Sequence, residues 1–204
     1  MSAKIRFIQK KDSNAVLSIY SPYILNTAIT FEYVVPSIED FKARIDGITS
    51  QFPYVVCEID GEIAGYAYAS KHHERKAYQW NRELSVYIAP PYFGKRIATA
   101  FYHCLLELLK LQGYKNVYTL VNTDNEASCR LHHSFGFQEI GLAKNTGYKF
   151  EKWHDIATLL KQISKYDLSP IEPKPINEIE DSLIEKIFLE SEAIIKYESY
   201  EVTL

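Results

Sequence analysis

The sequence predicts a mixed α/β (α+β) fold in which helices cover both faces of a mostly antiparallel sheet. Two apolar runs meet at Asp60-Gly61 and predict a β-hairpin, because a type I′ turn needs positive φ at both central residues. An amphipathic helix at residues 96–112 then separates further strand-like runs. Hairpins make antiparallel neighbours and a helix between strands permits a parallel crossover, so this order indicates a mixed sheet.

The first fifty residues predict one strand and two helices. Residues 4–9 alternate in hydropathy as a short strand does, and Asp12 or Ser13 can cap the helix that follows. Ser37 and Asp40 resemble a capping box and open a second helix with one apolar face. The chain therefore begins strand, helix, helix.

The next 110 residues supply the rest of the sheet. Gly113 ends the long helix as a C′ residue, and Gly136 ends a shorter helix within residues 124–137. The predicted strands lie at residues 54–59, 62–69, 78–88, 116–121, 137–143 and 148–160. The last two form a closing hairpin.

Composition changes after Ser164, which divides the chain into a domain at residues 1–164 and an appendage at residues 165–204. Three prolines in six residues predict an extended linker. Ile179, Leu183, Ile187 and Ile194 then recur at near-helical spacing, which predicts a tail helix. Its apolar side should pack on the chain's own core or on a partner.

Overall composition narrows the function classes. The net charge of −3 over 204 residues argues against a nucleic-acid partner. No long apolar segment indicates a signal peptide or a membrane span. Three isolated cysteines in apolar surroundings are typical of reduced thiols, so we expect a cytoplasmic protein.

The stretch "APPYFGKRIAT" at residues 89–99 leads from a strand into the long helix. Unpaired N–H groups and the positive end of the helix dipole converge there, which favours an anion such as pyrophosphate. A plain strand-to-helix corner explains the same pattern. The turn is thus a candidate phosphate site with a structural alternative.

Several polar residues near this turn are further candidates. Glu83 interrupts an apolar strand, where it either faces solvent or lines a cavity as a general base. Arg75 could bind an acidic group and Tyr78 could line a small pocket, although both could simply be exposed. Asn125 either caps a helix or binds a ligand.

The two adjacent histidines do not predict a metal site. His132 and His133 point about 100° apart on a helix, so they do not readily share one ion. His132 could act as an oriented acid, base or hydrogen-bond donor, or serve structure alone. We assign no nucleophilic role to the cysteines and expect no metal.

Five stretches occur along residues 5–160 in a specific order: "TFEYVVPSIEDFKARI", "YVVCEIDGEIAGYAYAS", "RKAYQWNRELSVYI", "TDNEASCRLHHSFGF" and "GYKFEKWHD". Together they resemble the GNAT N-acetyltransferases, and specifically the phosphinothricin and methionine sulfoximine acetyltransferase subfamily. The resemblance implies the GNAT fold, a homodimer, and direct acetyl transfer from acetyl-CoA to the primary amine of a small amino-acid-like acceptor.

The resemblance also implies site roles. Glu83 would take the amine proton, His132 would lie near the acceptor, and Asn125 would lie beside the cofactor. The substrate pocket would include Phe31, Arg75, Tyr78 and Lys149. The pantetheine arm and the pyrophosphate would be bound by Val86, Tyr87, Ile88, Phe93, Gly94, Lys95, Arg96, Ile97 and Ala98.

The turn departs from the family pattern. Phe93 stands where the family has Arg or Gln, and Arg96 stands where it has the central Gly. Losing that glycine removes backbone freedom, whereas Gly94, Lys95 and Arg96 supply flexibility and two cations. The alternative function is therefore a non-catalytic CoA-binding or protein-interaction module.

Overall fold

The computed structural model describes residues 3–196 and forms a seven-stranded sheet flanked by five helices. The strand order is β1-β2-β3-β4-β5-β7-β6. The strands are β1 (Ala3–Phe7), β2 (Tyr54–Ile59), β3 (Glu62–Lys71), β4 (Asn81–Ile88), β5 (Asn116–Asn122), β6 (Gln138–Lys149) and β7 (Lys152–Gln162). The helices are α1 (Ser13–Asn26), α2 (Ile38–Thr49), α3 (Ile97–Gln112), α4 (Glu126–Ser134) and α5 (Asp181–Glu192).

The predicted mixed sheet is confirmed. Neighbouring strands in the described residues are antiparallel except β4 and β5, which α3 connects as a parallel crossover. One sheet face packs on α1 and α2 through a tyrosine-rich cluster, and the other packs on α3 and α5. Helices therefore cover both faces, as expected.

Three local signals behave as predicted, whereas Asp12 precedes α1 without a side-chain capping hydrogen bond. Asp60 and Gly61 have φ of 50° and 89°, as the type I′ turn requires. The Ser37 hydroxyl accepts the Asp40 N–H at 3.1 Å and caps α2. Gly113 ends α3 in the left-handed region at φ 92°.

Two predicted boundaries are wrong. Residues 78–80 lie outside β4, since Lys76–Tyr78 form a 3₁₀ turn. The closing hairpin turns at Phe150 and Glu151, with φ of 51° and 58°, inside the predicted 148–160 strand. The turn-like Asn145 and Gly147 instead mark an irregularity within β6, where the register shifts between Ala143 and Gly147.

The tail packs on the chain's own core. Ile184 and Ile187 on α5 are buried against the α3 side of the sheet. The carboxylate of Glu192 accepts the backbone N–H of Ile5 on edge strand β1 at 2.7 Å. Helix α5 is shorter than the spacing predicts, since Ile179 and Ile194 lie outside it, and residues 197–204 of the predicted appendage lie outside the described residues. No helix in residues 3–196 is long and apolar enough to cross a membrane.

Candidate active site

A cleft of about 720 Å³ opens where β4 and β5 separate. The two strands pair in parallel only as far as Glu83 and Tyr118; beyond these residues they no longer pair with each other, although β4 still pairs with β3 and β5 with β7. Helices α3 and α4 close the cleft sides. Ten of the predicted site residues line it: Val86, Tyr87, Ile88, Phe93, Gly94, Arg96, Ile97, Ala98, Asn125 and His132.

The register of β4 decides which backbone groups face the cleft. The Ala89 N–H donates to the Ala64 carbonyl of β3, so the backbone groups of Ala89 point toward β3. Along a strand, successive residues direct their N–H and C=O groups to opposite sides. The N–H and C=O groups of Val86 and Ile88 therefore point toward β5, and those of Tyr87 point toward β3. The Tyr23 hydroxyl donates to the Ile88 carbonyl at 2.7 Å, so Val86 presents the more accessible pair.

The turn before α3 holds left-handed backbone at two positions. Gly94 has φ of 79°, and Arg96 has φ of 62° immediately before the helix starts at Ile97. An arginine thus occupies the conformation that glycine favours, at a cost of about 1 kcal/mol. Phe93 is exposed. The retained geometry directs the helix N-terminus at the cleft and suits an anion.

The tail contacts this turn through the main chain. The Lys196 N–H donates to the Lys95 carbonyl at 3.0 Å, just beyond α5. Lys95 does not line the cleft itself. The C-terminal segment is therefore hydrogen-bonded to the turn at a residue outside the cleft lining.

Glu83 lies at the last position where β4 pairs with β5, just before the cleft opens; it does not line the cleft itself, and it is bonded to a histidine. Its Oε1 is 2.8 Å from Nδ1 of His72, with the two side chains 29% and 15% exposed. The His72 ring stacks on Tyr118, with centroids 3.9 Å apart and planes within 4°. A carboxylate accepts only, so Nδ1–H of His72 is the donor. Glu83 is thus neither fully solvated nor enclosed.

His132 is buried at the wall of the cleft. Its Nδ1 is 2.7 Å from the Ser128 carbonyl, which makes Nδ1–H the donor and leaves Nε2 to accept from the Tyr102 hydroxyl. Burial lowers the pKa of His132 and raises that of Tyr102. The imidazole is therefore held neutral with both nitrogens occupied.

Asn125 serves as the N-cap of α4. Its side-chain oxygen accepts the Ser128 N–H at 3.2 Å, as the capping alternative anticipated. Asn125 also lines the cleft beside the end of β5. The same residue thus shapes the helix start and remains available on the cleft side.

Phe31 and Lys149 lie together, away from the cleft lining. Lys149 is 3% exposed, and its ammonium donates to the carbonyls of Ile24 and Thr30 at 2.7 Å each. Burial lowers its pKa. The ring of Phe31 packs on Gly147 closely enough that a Cβ there would lie 2.1 Å from it. These contacts join the α1–α2 connection to the last hairpin.

Arg75 and Tyr78 lie beyond the β4 start. Arg75 lines a separate cavity with Arg82 and Tyr114, whereas the Tyr78 ring contacts His73 at 4.7 Å between centroids. His73 in turn contacts His72, the partner of Glu83. Tyr78 is therefore connected to Glu83 through the rings of His73 and His72, whereas Arg75 lies in the cavity that contains Arg82.

Sequence reasoning missed three side chains at the site. They are His72, Tyr102 and Tyr23, which bond Glu83, His132 and Ile88 respectively. His72 and His73 directly follow β3, and Ser70 near the end of β3 pairs with Glu83 on β4. Antiparallel pairing of these two strands would therefore have predicted a histidine near Glu83. The tyrosines carried no local signal. Within residues 3–196, no group of three or more metal-ligating side chains is present.

Comparison with known proteins identifies the class. Residues 5–158 match the family described as acetyltransferase (GNAT) domain. Phosphinothricin N-acetyltransferase of Streptomyces viridochromogenes is 28% identical over 86% of this chain and 94% of its own. L-methionine sulfoximine/L-methionine sulfone acetyltransferase of Salmonella typhimurium is 27% identical over 79% and 95%.

Solved structures agree. The GNAT superfamily phosphinothricin acetyltransferase of Sinorhizobium meliloti, solved with acetyl-CoA, superposes with a TM-score of 0.81. It is 31% identical and covers 85% of this chain and 96% of its own. The chain belongs to the GNAT acetyltransferase family and resembles its phosphinothricin and methionine sulfoximine branch. It is an N-acetyltransferase with acetyl-CoA as co-substrate.

Proposed function

We propose that this protein acetylates the primary amine of a small amino-acid-like acceptor of the phosphinothricin or methionine sulfoximine type, by direct transfer in a ternary complex. The observation that carries the proposal is the position of Glu83 immediately before Leu84, the first β4 residue that lines the cleft. A half-buried carboxylate lies where β4 and β5 part, next to the cleft into which the Val86 backbone points.

The cleft residues fit acetyl-CoA. Val86 offers an N–H and a C=O to an extended amide-containing arm, and apolar walls surround them. The turn at residues 93–98 offers the α3 N-terminus and the Arg96 cation to a pyrophosphate. The bound thioester supplies the activated acetyl group.

Each side chain has a distinct task in the proposed mechanism. Glu83 accepts a proton from the acceptor's ammonium group, because only the free amine is nucleophilic. The amine nitrogen bonds to the acetyl carbon and the carbon–sulfur bond breaks. The attacking nitrogen loses one proton as the amide forms, and the leaving sulfur gains one to become the thiol. The Val86 N–H can donate to the carbonyl oxygen as negative charge develops on it.

Two histidines support this arrangement without touching the reacting atoms. His72 orients Glu83, and His132 positions the Tyr102 hydroxyl at the cleft wall. Holding both substrates in one cleft removes much of the entropic barrier. His132 is therefore proposed as a positioning residue, since both its nitrogens are engaged.

The test is CoA-thiol release by wild type and Glu83→Gln with a panel of amines. The panel contains phosphinothricin, methionine sulfoximine, methionine sulfone, ordinary amino acids and polyamines. Turnover with the amino-acid-like acceptors that falls at least a hundredfold in Glu83→Gln is the expected result. Equal turnover by both proteins would exclude Glu83 as the base. Acetyl-CoA binding by calorimetry, unchanged in Glu83→Gln, is the control.

We also propose a homodimer in the cytoplasm. Edge strand β6 and its neighbour β7 expose large apolar side chains, which support a subunit contact: Ile140, Leu142, Tyr148 and Trp153. The free cysteines of the described residues are consistent with a reducing compartment. Sedimentation equilibrium of wild type and Leu142→Glu tests the contact. A monomeric wild type would contradict it.

A further inference from the structure

A second cavity lies at the opposite end of β4 from the turn that precedes α3. Its volume is about 240 Å³, and it is bounded by the connection after β3, the β4 start and the proline linker at Pro173 and Pro175. It shares no lining residue with the acetyl-CoA cleft. Arg82 and Glu83 are consecutive in a strand, so their side chains leave opposite faces of the sheet.

Arg82 is the unusual residue in this cavity. It is 6% exposed, and no acidic side chain among the described residues forms an ion pair with it. Its guanidinium lies between two rings, 4.5 Å from the Phe52 centroid and 4.1 Å from that of Tyr114. Its terminal nitrogens donate to the Asn81 carbonyl and the Tyr114 hydroxyl, and its Nε has no partner in residues 3–196.

Burying a cation without a carboxylate partner costs desolvation free energy, and a bound anion would offset that cost. Burial lowers the pKa of Arg82, although Tyr114 compensates in part. An arginine side chain presents several N–H donors in one plane, which matches the oxygens of a phosphate or carboxylate. The unpartnered Nε favours that type of ligand.

The cavity rim adds to this positive field. Four basic side chains line it, Lys71, Arg75, Lys76 and Arg82, against one acidic side chain, Glu74. Lys71 pairs with Glu74 at 3.1 Å, and Lys76 pairs with Glu172 of the linker at 2.7 Å. Both pairs are largely exposed and therefore weak. Within residues 3–196, Arg75 and Arg82 are the two of these four cations that form no ion pair.

We propose that this cavity binds a small oxyanion, a phosphate or carboxylate, at Arg82 and Arg75, separately from the acetyl-CoA cleft. The cavity has room for such a group. Because the linker at Pro173 and Pro175 forms one wall, anion binding would tie the tail to the end of the sheet. His73 also lines the cavity and contacts His72, which is bonded to Glu83. The rings of His73 and His72 therefore connect the cavity to Glu83.

The test is calorimetric titration of inorganic phosphate into the full chain saturated with CoA, which fills the phosphate-binding turn of the cleft. Malonate is titrated in parallel to compare a carboxylate, and sodium chloride at equal ionic strength corrects for screening. The expected result is saturable one-to-one binding of phosphate or malonate. Arg82→Met should weaken that binding about ten- to a hundredfold.

Matched variants keep the outcome interpretable. Arg130→Met removes an exposed arginine on α4 and should leave phosphate binding unchanged. Arg75→Gln changes an exposed rim residue, so it provides the weakened variant if Arg82→Met does not fold. The proposal would be overturned if wild type showed no saturable phosphate binding. It would also be overturned if the folded Arg82 and Arg75 variants bound phosphate with the same affinity as wild type.

A kinetic arm separates a free anion from the acid group of the acceptor. If phosphate competes with an acidic acceptor and Arg82→Met raises the KM for that acceptor, the cavity is part of the acceptor site and the separate site is refuted. If phosphate binds without such competition, the separate site stands. Because binding is measured by heat, the result does not depend on whether Glu83 is the base.

Discussion

Nδ1 of His72 lies 2.8 Å from Oε1 of Glu83, while the His72 ring is stacked flat on Tyr118 across the parallel β4–β5 junction. The stack fixes the plane of the imidazole, so the donated hydrogen bond fixes one carboxylate oxygen. The second oxygen is left for the acceptor amine. His72 directly follows β3, Glu83 lies on β4 and Tyr118 lies on β5, so the contact joins three neighbouring strands where β4 and β5 part.

Removing the His72 donor should slow the chemical step. His72→Phe keeps a ring to stack on Tyr118 but loses the hydrogen bond to Glu83. A charge-assisted hydrogen bond contributes about 1.5–3 kcal/mol, so kcat should fall about ten- to a hundredfold. The KM for acetyl-CoA should not change, because His72 does not line that cleft. Steady-state kinetics measures both.

Two companion variants test the role of His72. His72→Gln retains an N–H donor and should recover part of kcat. His73→Gln, at the adjacent position without a bond to Glu83, should have the smaller effect. A His72→Phe enzyme with wild-type kcat would show that His72 does not act on Glu83.

The left-handed backbone at Arg96 predicts that two substitutions at this position differ in stability. Arg96→Gly and Arg96→Ala both remove the cation, but only glycine accommodates φ of 62° without strain. The glycine variant should be more stable than the alanine variant by about 1 kcal/mol in urea unfolding. Both should raise the KM for acetyl-CoA equally through loss of charge at the turn. Equal stability of the two variants would argue against the left-handed geometry.

The contact between Gly147 and Phe31 predicts a steric cost. A Cβ on Gly147 would lie 2.1 Å from the Phe31 ring, whereas one on Gly141 in the same strand meets nothing within 4 Å. Gly147→Ala should therefore lose about 1–3 kcal/mol of stability, and Gly141→Ala should lose much less. Chemical denaturation of both variants makes the comparison.

A double-mutant cycle identifies the cause of that loss. In a Phe31→Ala background the added methyl on residue 147 has room, so its cost should largely disappear. A cost that stays the same without the Phe31 ring would place the strain elsewhere in the hairpin.

The tail should unfold with the rest of the chain. Ile187 is buried in the main core, and Leu189 on the same helix is 66% exposed. Ile187→Ala should destabilise the whole protein by about 2–4 kcal/mol with one transition, and Leu189→Ala should have little effect. Thermal unfolding followed by calorimetry distinguishes the cases. A separate low-temperature transition for the tail would contradict a shared core.

Local signals in the sequence predicted most of the secondary structure. Asp60-Gly61, the Ser37 cap and Gly113 act over a few residues, so their effect can be predicted without knowing what packs nearby. The turn at Phe150 and Glu151 could not be predicted in this way. It lacks the usual turn residues, and its position follows from pairing between β6 and β7 around the irregularity near Gly147.

The sequence by itself determined the mixed sheet, the family and the cleft beside β4, because periodicity and motif order are properties of the chain. Only the tertiary structure decided that His72 bonds Glu83, that Lys149 holds the α1–α2 connection, and that Arg75 lies with Arg82. These contacts join residues up to 125 positions apart. Packing sets such distances, since a side chain's partner depends on strand order and register, which no single stretch of sequence encodes.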